Sequence, residues 1–305
     1  MNKFSLIKTL ALAVLITAMF TACDEEDANP ITPDPDVQAP TNLRAASADG
    51  AVFLTWTASQ SESQENFGSY DINILDKSTN QSLAPRTAGK GINSIRIDGL
   101  TNGVRYDFTI RSVTTQGKKS ADFALIEWSP AVRQNQDAMG LPIKVYATTS
   151  TLFNSAIDLY NIDGKAEVIP QSGAEFRDRG DLFLFASSST SPIILRSPDQ
   201  ASNKGLETQF STVAPIVTDN LDDQLAATPP LSTTYGLKEF TIGDGTVAAG
   251  RVYFGRLVRG NEFYYFRLLI KRGSNNRLVQ GSGNDRFIEM AVSFQNAPNN
   301  PFAKQ

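Results

Sequence analysis

The sequence predicts an all-β chain built from two antiparallel modules. Three observations lead there. Short stretches alternate apolar and polar residues, separated by turn clusters rich in Ser, Asp, Asn and Gly, which is the period of half-buried strands. Over 138–300 no stretch repeats apolar residues convincingly at the 3.6-residue spacing of a helix. With 305 residues, 41% of them hydrophobic, the chain is long enough for two cores. The expected order is a signal segment over 1–22, a linker over 23–38, a β-sandwich over 39–130 and a second antiparallel β-domain, sandwich or barrel, over 138–300.

Composition removes much chemistry before any site is sought. There is no histidine and one cysteine, so no intrachain disulfide, no Cys/His zinc site and no histidine-based triad is available. Charges balance at nine of each sign over 37–130 and seventeen of each over 131–305. Nucleic-acid binding, which needs a net basic surface, is not expected. Neither a cofactor nor a metal site nor a catalytic set is expected.

The first element in order is an address. Residues 1–8 carry Lys3 and Lys8, and residues 9–20 form an apolar run too short to cross a bilayer core, which takes about 20 helical residues. The order reads as a signal peptide. Phe20-Thr21-Ala22-Cys23 resembles a lipobox, with Phe20 where Leu is usual; the resemblance implies that Cys23 is lipidated and attaches the chain to a membrane. Asp24, Glu25, Glu26 and Asp27 follow at once. They act at least as a solvated spacer, and the run resembles an export tag for the outer face of the outer membrane. The expected location is therefore the outer membrane facing the exterior, or alternatively the periplasmic face. Without residues 1–22 there remain twenty-six basic and thirty-two acidic residues, a net charge of −6, and six of the acids lie in 24–36. Prolines and like charges stiffen this tether.

The first module opens at Pro40. Strands are expected at 42–45, 52–57, 70–75, 94–100 and 106–113. Ala39-Pro40-Thr41-Asn42-Leu43, Trp56, Tyr70 and above all Gly99-Leu100-Thr101-Asn102-Gly103-Val104-Arg105-Tyr106 resemble a fibronectin type III domain over about 39–130. The resemblance implies a β-sandwich with Trp56 in its core and a corner in which the Tyr106 hydroxyl bonds back to the backbone. It implies a spacer or binding scaffold rather than an activity.

The second module resembles no family. Strands are expected at 143–148, 156–160, 181–185, 192–196, 236–242, 251–258, 262–272 and 287–295, with 198–235 as a long polar excursion. Arg259-Gly260-Asn261-Glu262 is a two-residue hairpin signal, and its register pairs Val258 with Phe263 and Arg256 with Tyr265. One face then holds Tyr253, Leu257, Tyr264, Phe266, Leu268 and Ile270 and makes the better core. The other holds Phe254, Arg256, Phe263, Tyr265, Arg267 and Lys271. Rings and cations alternate there, either as ordinary cross-strand pairs that solubilise a sheet or as a binding strip for a sugar or anionic polymer.

Weaker signals lie between. Arg179-Gly180-Asp181 spells a tripeptide read by adhesion receptors, but it leads straight into an apolar strand. Asp158, Asn161 and Asp163-Gly164 resemble a calcium loop with the wrong spacing. Glu175, Asp178 and Asp181 are candidate paired carboxylates. The expected function is a non-catalytic cell-surface lipoprotein that binds or displays, by glycan binding or adhesion. The alternatives are a secreted hydrolase using carboxylates of 138–300 and a purely structural envelope protein. Expected partners are the membrane through Cys23 and a glycan or another envelope protein.

Overall fold

Alternation decides the first domain. In a computed structural model describing residues 36–223 and 228–302, its strands are β1 (Thr41–Ala48), β2 (Ala51–Thr57), β3 (Phe67–Asp76), β4 (Gln81–Ser82), β5 (Arg86–Gly89), β6 (Ser94–Asp98), β7 (Tyr106–Thr114) and β8 (Ala124–Trp128). Cys23, Asp24, Glu25, Glu26 and Asp27 lie outside the described residues. One sheet has the order β1-β2-β6; the other has β4-β3-β7-β8, with β5 also paired to β3. Every second residue of β7 is buried, Tyr106, Phe108 and Ile110 among them. They meet Leu54, Trp56 and Ile97 from the opposite sheet in one core. Trp56 stands edge-on to Tyr70, with centroids 5.4 Å apart. The Tyr106 hydroxyl accepts a hydrogen bond from the Thr101 amide at 3.0 Å, closing the expected corner.

The chain enters the second domain without a free linker, because Ser129, Pro130 and Ala131 are all buried. There follow β9 (Val132–Gln134), β10 (Ile143–Tyr146), β11 (Ala156–Asp158), β12 (Glu167–Ile169), the helix α1 (Gly173–Arg179), β13 (Leu182–Phe185), β14 (Ile193–Arg196) and β15 (Glu207–Ser211). Then come β16 (Ile216–Val217), β17 (Tyr235–Leu237), β18 (Glu239–Ile242), β19 (Arg251–Arg259), β20 (Glu262–Ile270), β21 (Val279–Gln280) and β22 (Phe287–Phe294). A nine-stranded sheet built on β10-β22-β20-β19-β15-β17 packs against a five-stranded sheet of order β12-β11-β13-β14-β18. The choice between sandwich and barrel is thereby settled as a sandwich. Its core takes Leu257, Phe266, Leu268 and Ile270 from one sheet and Ile157, Leu184, Leu195 and Ile242 from the other. The hairpin register is the expected one, with Val258 opposite Phe263 and Arg256 opposite Tyr265.

Two expectations need correction. The segment 198–235 is not wholly an excursion: β15 lies inside the large sheet between β19 and β17. Its sequence, Glu-Thr-Gln-Phe-Ser, buries Thr208 and Phe210 on alternate positions, and the threonine hides the alternation. The seven-residue α1 is too short to show a stripe, and it buries only Phe176.

The two sandwiches share a junction. Tyr235, Phe254, Tyr265 and Phe302 belong to the same buried apolar cluster as the core of the first domain. The Ser129 amide donates to the Phe302 carbonyl at 2.8 Å, and Asn300 Nδ2 donates to the Gly103 carbonyl at 2.9 Å. Gly103 has φ +83°, and a Cβ there would lie 2.7 Å from Asn296 Oδ1 and 2.9 Å from Ala297 Cβ. Only glycine fits that corner, on both conformational and steric grounds.

Candidate binding cleft

The hairpin face expected to bind is not a free face. Phe254, Tyr265 and Arg267 are buried. Arg267, fully buried, donates through Nη2 to the Ser47 carbonyl at 3.3 Å and to Ser293 Oγ at 2.9 Å. Its guanidinium lies over the Phe302 ring, 4.8 Å from the centroid. Burial, with the Arg133 charge beside it, pulls its pKa down to about 9. Arg256, half-buried, stacks on Phe263 at 4.1 Å and donates to Gln209 Oε1 at 2.8 Å. Lys271 pairs with Glu289 at 3.1 Å. The strip is thus corrected. The alternation of rings and cations is real, but it serves the junction and cross-strand packing, because the first domain and the tail over 296–302 cover what the pleat turns outward.

The opposite face of the same hairpin, together with β11, α1 and the end of β22, frames a cleft of about 690 Å³. One wall is aromatic. Tyr160, in the loop after β11, stacks on Phe294 with centroids 5.0 Å apart and planes within 10°. Tyr264 of β20 lies parallel to Phe294 on the same terms, at 6.4 Å and 7°. Local chemistry sets Tyr160 in place. Asn161 Oδ1 accepts from the amides of Asp163 and Lys165, both at 3.0 Å, closing the turn. The residues that resemble a calcium loop are therefore turn-formers, and the described residues hold no cluster suited to a metal ion.

The polar wall is an ion-pair network. Asp158 Oδ1 accepts from the Tyr160 amide at 3.0 Å and Oδ2 from Arg179 Nη1 at 3.1 Å. The same nitrogen donates to Glu167 Oε2 at 2.7 Å, and Nη2 contacts Glu175. The bond from Arg179 holds Glu167 below the usual carboxylate range. Asp181 Oδ2 accepts from the Leu159 amide at 2.7 Å, and Oδ1 pairs with Arg259 Nη2. Burial pushes the Asp181 carboxyl up to about 7; Arg259 opposes the shift and Asp158 adds to it. Burial likewise raises Asp158. Arg179-Gly180-Asp181 is no loop tip: Arg179 ends α1, the Gly180 amide donates to the Phe176 carbonyl at 2.9 Å, and Asp181 is buried. Of the three candidate carboxylates, Glu175 binds Arg179, Asp178 pairs with Arg177 at 3.1 Å in the open, and only Asp181 is enclosed.

Tyr160 and Phe294 were not singled out from the sequence. They are far apart along the chain, and the only local pointer was Tyr264 on the core face of the hairpin.

Residues 38–127 match the family model of the fibronectin type III domain. The first sandwich is a fibronectin type III domain. Similar solved structures include the FN3 domain of human collagen XX, 16% identical over 31% of this chain and 96% of that one, with a TM-score of 0.25. The FN5 domain of Drosophila Lar is 12% identical over 32% and 99%, with a TM-score of 0.24. The Clostridium perfringens spore cortex lytic enzyme SleM is 18% identical over 30% and 28%, with a TM-score of 0.25. No curated protein matches the chain. The fibronectin type III domain points to a binding or structural role. Gln38 is held at one end of it, its amide donating to Ser61 Oγ at 2.9 Å. Ser47, at the other end of β1, forms the junction with the second sandwich.

Proposed function

We propose that this chain is a lipid-anchored, non-catalytic binding protein of the cell surface, with a glycan site in the cleft of its second domain. The half-buried rings of Tyr160 and Tyr264, both stacked on the buried Phe294, carry this reading. Sugars present apolar C–H faces that pack on aromatic rings, while their hydroxyls need polar partners at the rim. Asn161 and Asn296 line that rim, and Ile162 stands fully exposed beside it. The anchor rests on the order basic segment, apolar run, Ala22, Cys23, and outward display on the acidic run that follows. The described chain starts at Asp36, at the pole of the fibronectin type III domain away from the junction. About 25 Å of strand, eight residues of β1, then separates that pole from the second domain.

A hydrolase reading has in its favour the burial of Asp181 and Asp158, which raises the pKa of both carboxyls. Against it, both oxygens of Asp158 and of Asp181 are already engaged by an amide and a guanidinium. A working carboxylate must instead reach substrate. The test is a glycan array probed with the wild-type chain and with Tyr160→Ala. Specific signals that disappear in the variant support the reading; wild-type signals that survive it would place binding elsewhere.

A further inference from the structure

A second cavity, of about 320 Å³, lies apart from the cleft, between β10, β12, the turn over 137–142 and Phe153. Strand β10 ends the nine-stranded sheet and β12 ends the five-stranded one. The ladders show which backbone groups these edges leave over. The Glu289 carbonyl accepts from the Lys271 amide at 2.8 Å, so Glu289 faces away from β10. Lys144, its opposite in the register, therefore turns its amide and carbonyl outward. Tyr146 does the same, and its amide donates to the Asn154 carbonyl at 3.1 Å. On β12, Val168 lies opposite Ile157, whose carbonyl accepts from the Asp181 amide, so Val168 also faces outward. Its carbonyl accepts from Asn154 Nδ2 at 3.2 Å. No hydrogen bond among the described residues takes up the Lys144 amide, the Lys144 carbonyl or the Val168 amide.

The rim is apolar and held in place. Asp137 Oδ1 accepts from the amides of Met139 and Leu141 at 3.0 and 2.9 Å, and Phe153 stacks on Tyr146 with centroids 4.2 Å apart. Yet Met139 is 78% exposed, Leu141 56% and Phe153 47%. An exposed apolar rim around one groove marks a contact surface. Lys144 is the one cation among the described lining residues. Its ammonium lies over the Phe287 ring, 5.2 Å from the centroid, and has no carboxylate partner among the described residues.

We propose that this groove receives an extended strand of a partner protein, which pairs with the edge of β10 and sets an acidic residue opposite Lys144. The amide and carbonyl of that residue would bond to those of Lys144. Its neighbours would turn the other way by the pleat, into the mouth between the two sheets. A second copy of this chain fits poorly, because antiparallel pairing of two β10 edges about Lys144 sets ammonium against ammonium.

The test is selection of random dodecapeptides displayed on phage against the full chain, followed by fluorescence anisotropy with the recovered peptide. The expected peptides alternate apolar residues about one Asp or Glu. Methylating the backbone nitrogen of that acidic residue should weaken binding about tenfold, since it removes a hydrogen bond and blocks close approach. Exchanging the acid for Lys should weaken it comparably, and Lys144→Glu should restore binding of the exchanged peptide. Leu141→Asp, at an exposed position, should abolish binding and leave the thermal melt unchanged. Peptides that ignore N-methylation, or that bind Leu141→Asp as well as the wild type, would overturn the proposal, as would a selection that enriches no sequence. Self-association of the chain that is lost in Leu141→Asp would give the groove to a second copy and overturn it too.

Discussion

Tyr106 holds the corner of the fibronectin type III domain through its oxygen, which accepts from the Thr101 amide. Removing that oxygen leaves the amide without its acceptor, but Thr101 is exposed and water takes over part of the role. Tyr106→Phe should cost about 1 kcal/mol. Trp56→Ala opens a cavity between two sheets and should cost roughly 3–5 kcal/mol. A change at Lys118, whose exposed ammonium pairs with Asp36, should cost less than either. Urea melts of the full chain measure the order, and equal effects at Trp56 and Tyr106 would contradict the packing. At Asp181 the folded state holds its proton more tightly than the unfolded chain, with a pKa raised from 3.8 to about 7. Its contribution to stability is therefore greatest in acid, falls as pH rises from about 4 to 7 and is flat above that. Relative to Asp181→Asn, the wild type should lose about 2 kcal/mol between pH 5 and pH 7. Paired denaturant melts would show it; a pH-independent difference would mean that the carboxylate stays ionised throughout.

At the scale of the element, the hairpin of β19 and β20 shows what a local signal can and cannot say. Gly260-Asn261 and strict alternation made its register legible. Gly255 explains how the pair accepts a large ring: it sits opposite Phe266, and a Cβ there would lie 2.1 Å from the ring. Gly255→Ala should therefore destabilise by about 1–3 kcal/mol through overpacking. Phe266→Leu in the same chain should recover part of the loss, since the two changes share one space. Thermal melts of the single and double variants check this, and strict additivity would rule out the steric cause. Strand β15 was not legible, because Thr208 supplies its first inward position with a hydroxyl that donates to the Asp181 carbonyl at 2.7 Å. A polar residue satisfied by a distant partner looks the same in sequence as a loop residue.

At the scale of the molecule, the junction makes the two sandwiches one unit. Phe302 is fully buried among residues of both, and Arg267 bridges Ser47 of one sheet to Ser293 of another. Both tryptophans, Trp56 and Trp128, lie in the fibronectin type III domain. Tryptophan fluorescence thus reports that domain, and far-ultraviolet circular dichroism reports all the sheets. The two signals should melt together in the wild type. In Phe302→Ala, which should cost about 3–5 kcal/mol, they should separate as the domains lose their coupling. Separate transitions in the wild type would contradict a shared core.

By itself the sequence determined the all-β class, the fibronectin type III corner, seven strands of the second domain to within a few residues (the strand expected over 236–242 is two, β17 and β18, which lie in different sheets) and the two faces of the hairpin. These follow from neighbours along the chain, where a period of two and a turn dipeptide suffice. It also carried the reading of Cys23 and the acidic run. Only the tertiary structure decided which hairpin face is covered and where a ligand could enter. Alternation distinguishes two faces without saying what lies over each. That answer came from partners such as Ser47 and Arg267, 220 residues apart, and from the stacking of Tyr160 on Phe294. Such contacts are set by how sheets pack, and no local pattern encodes them.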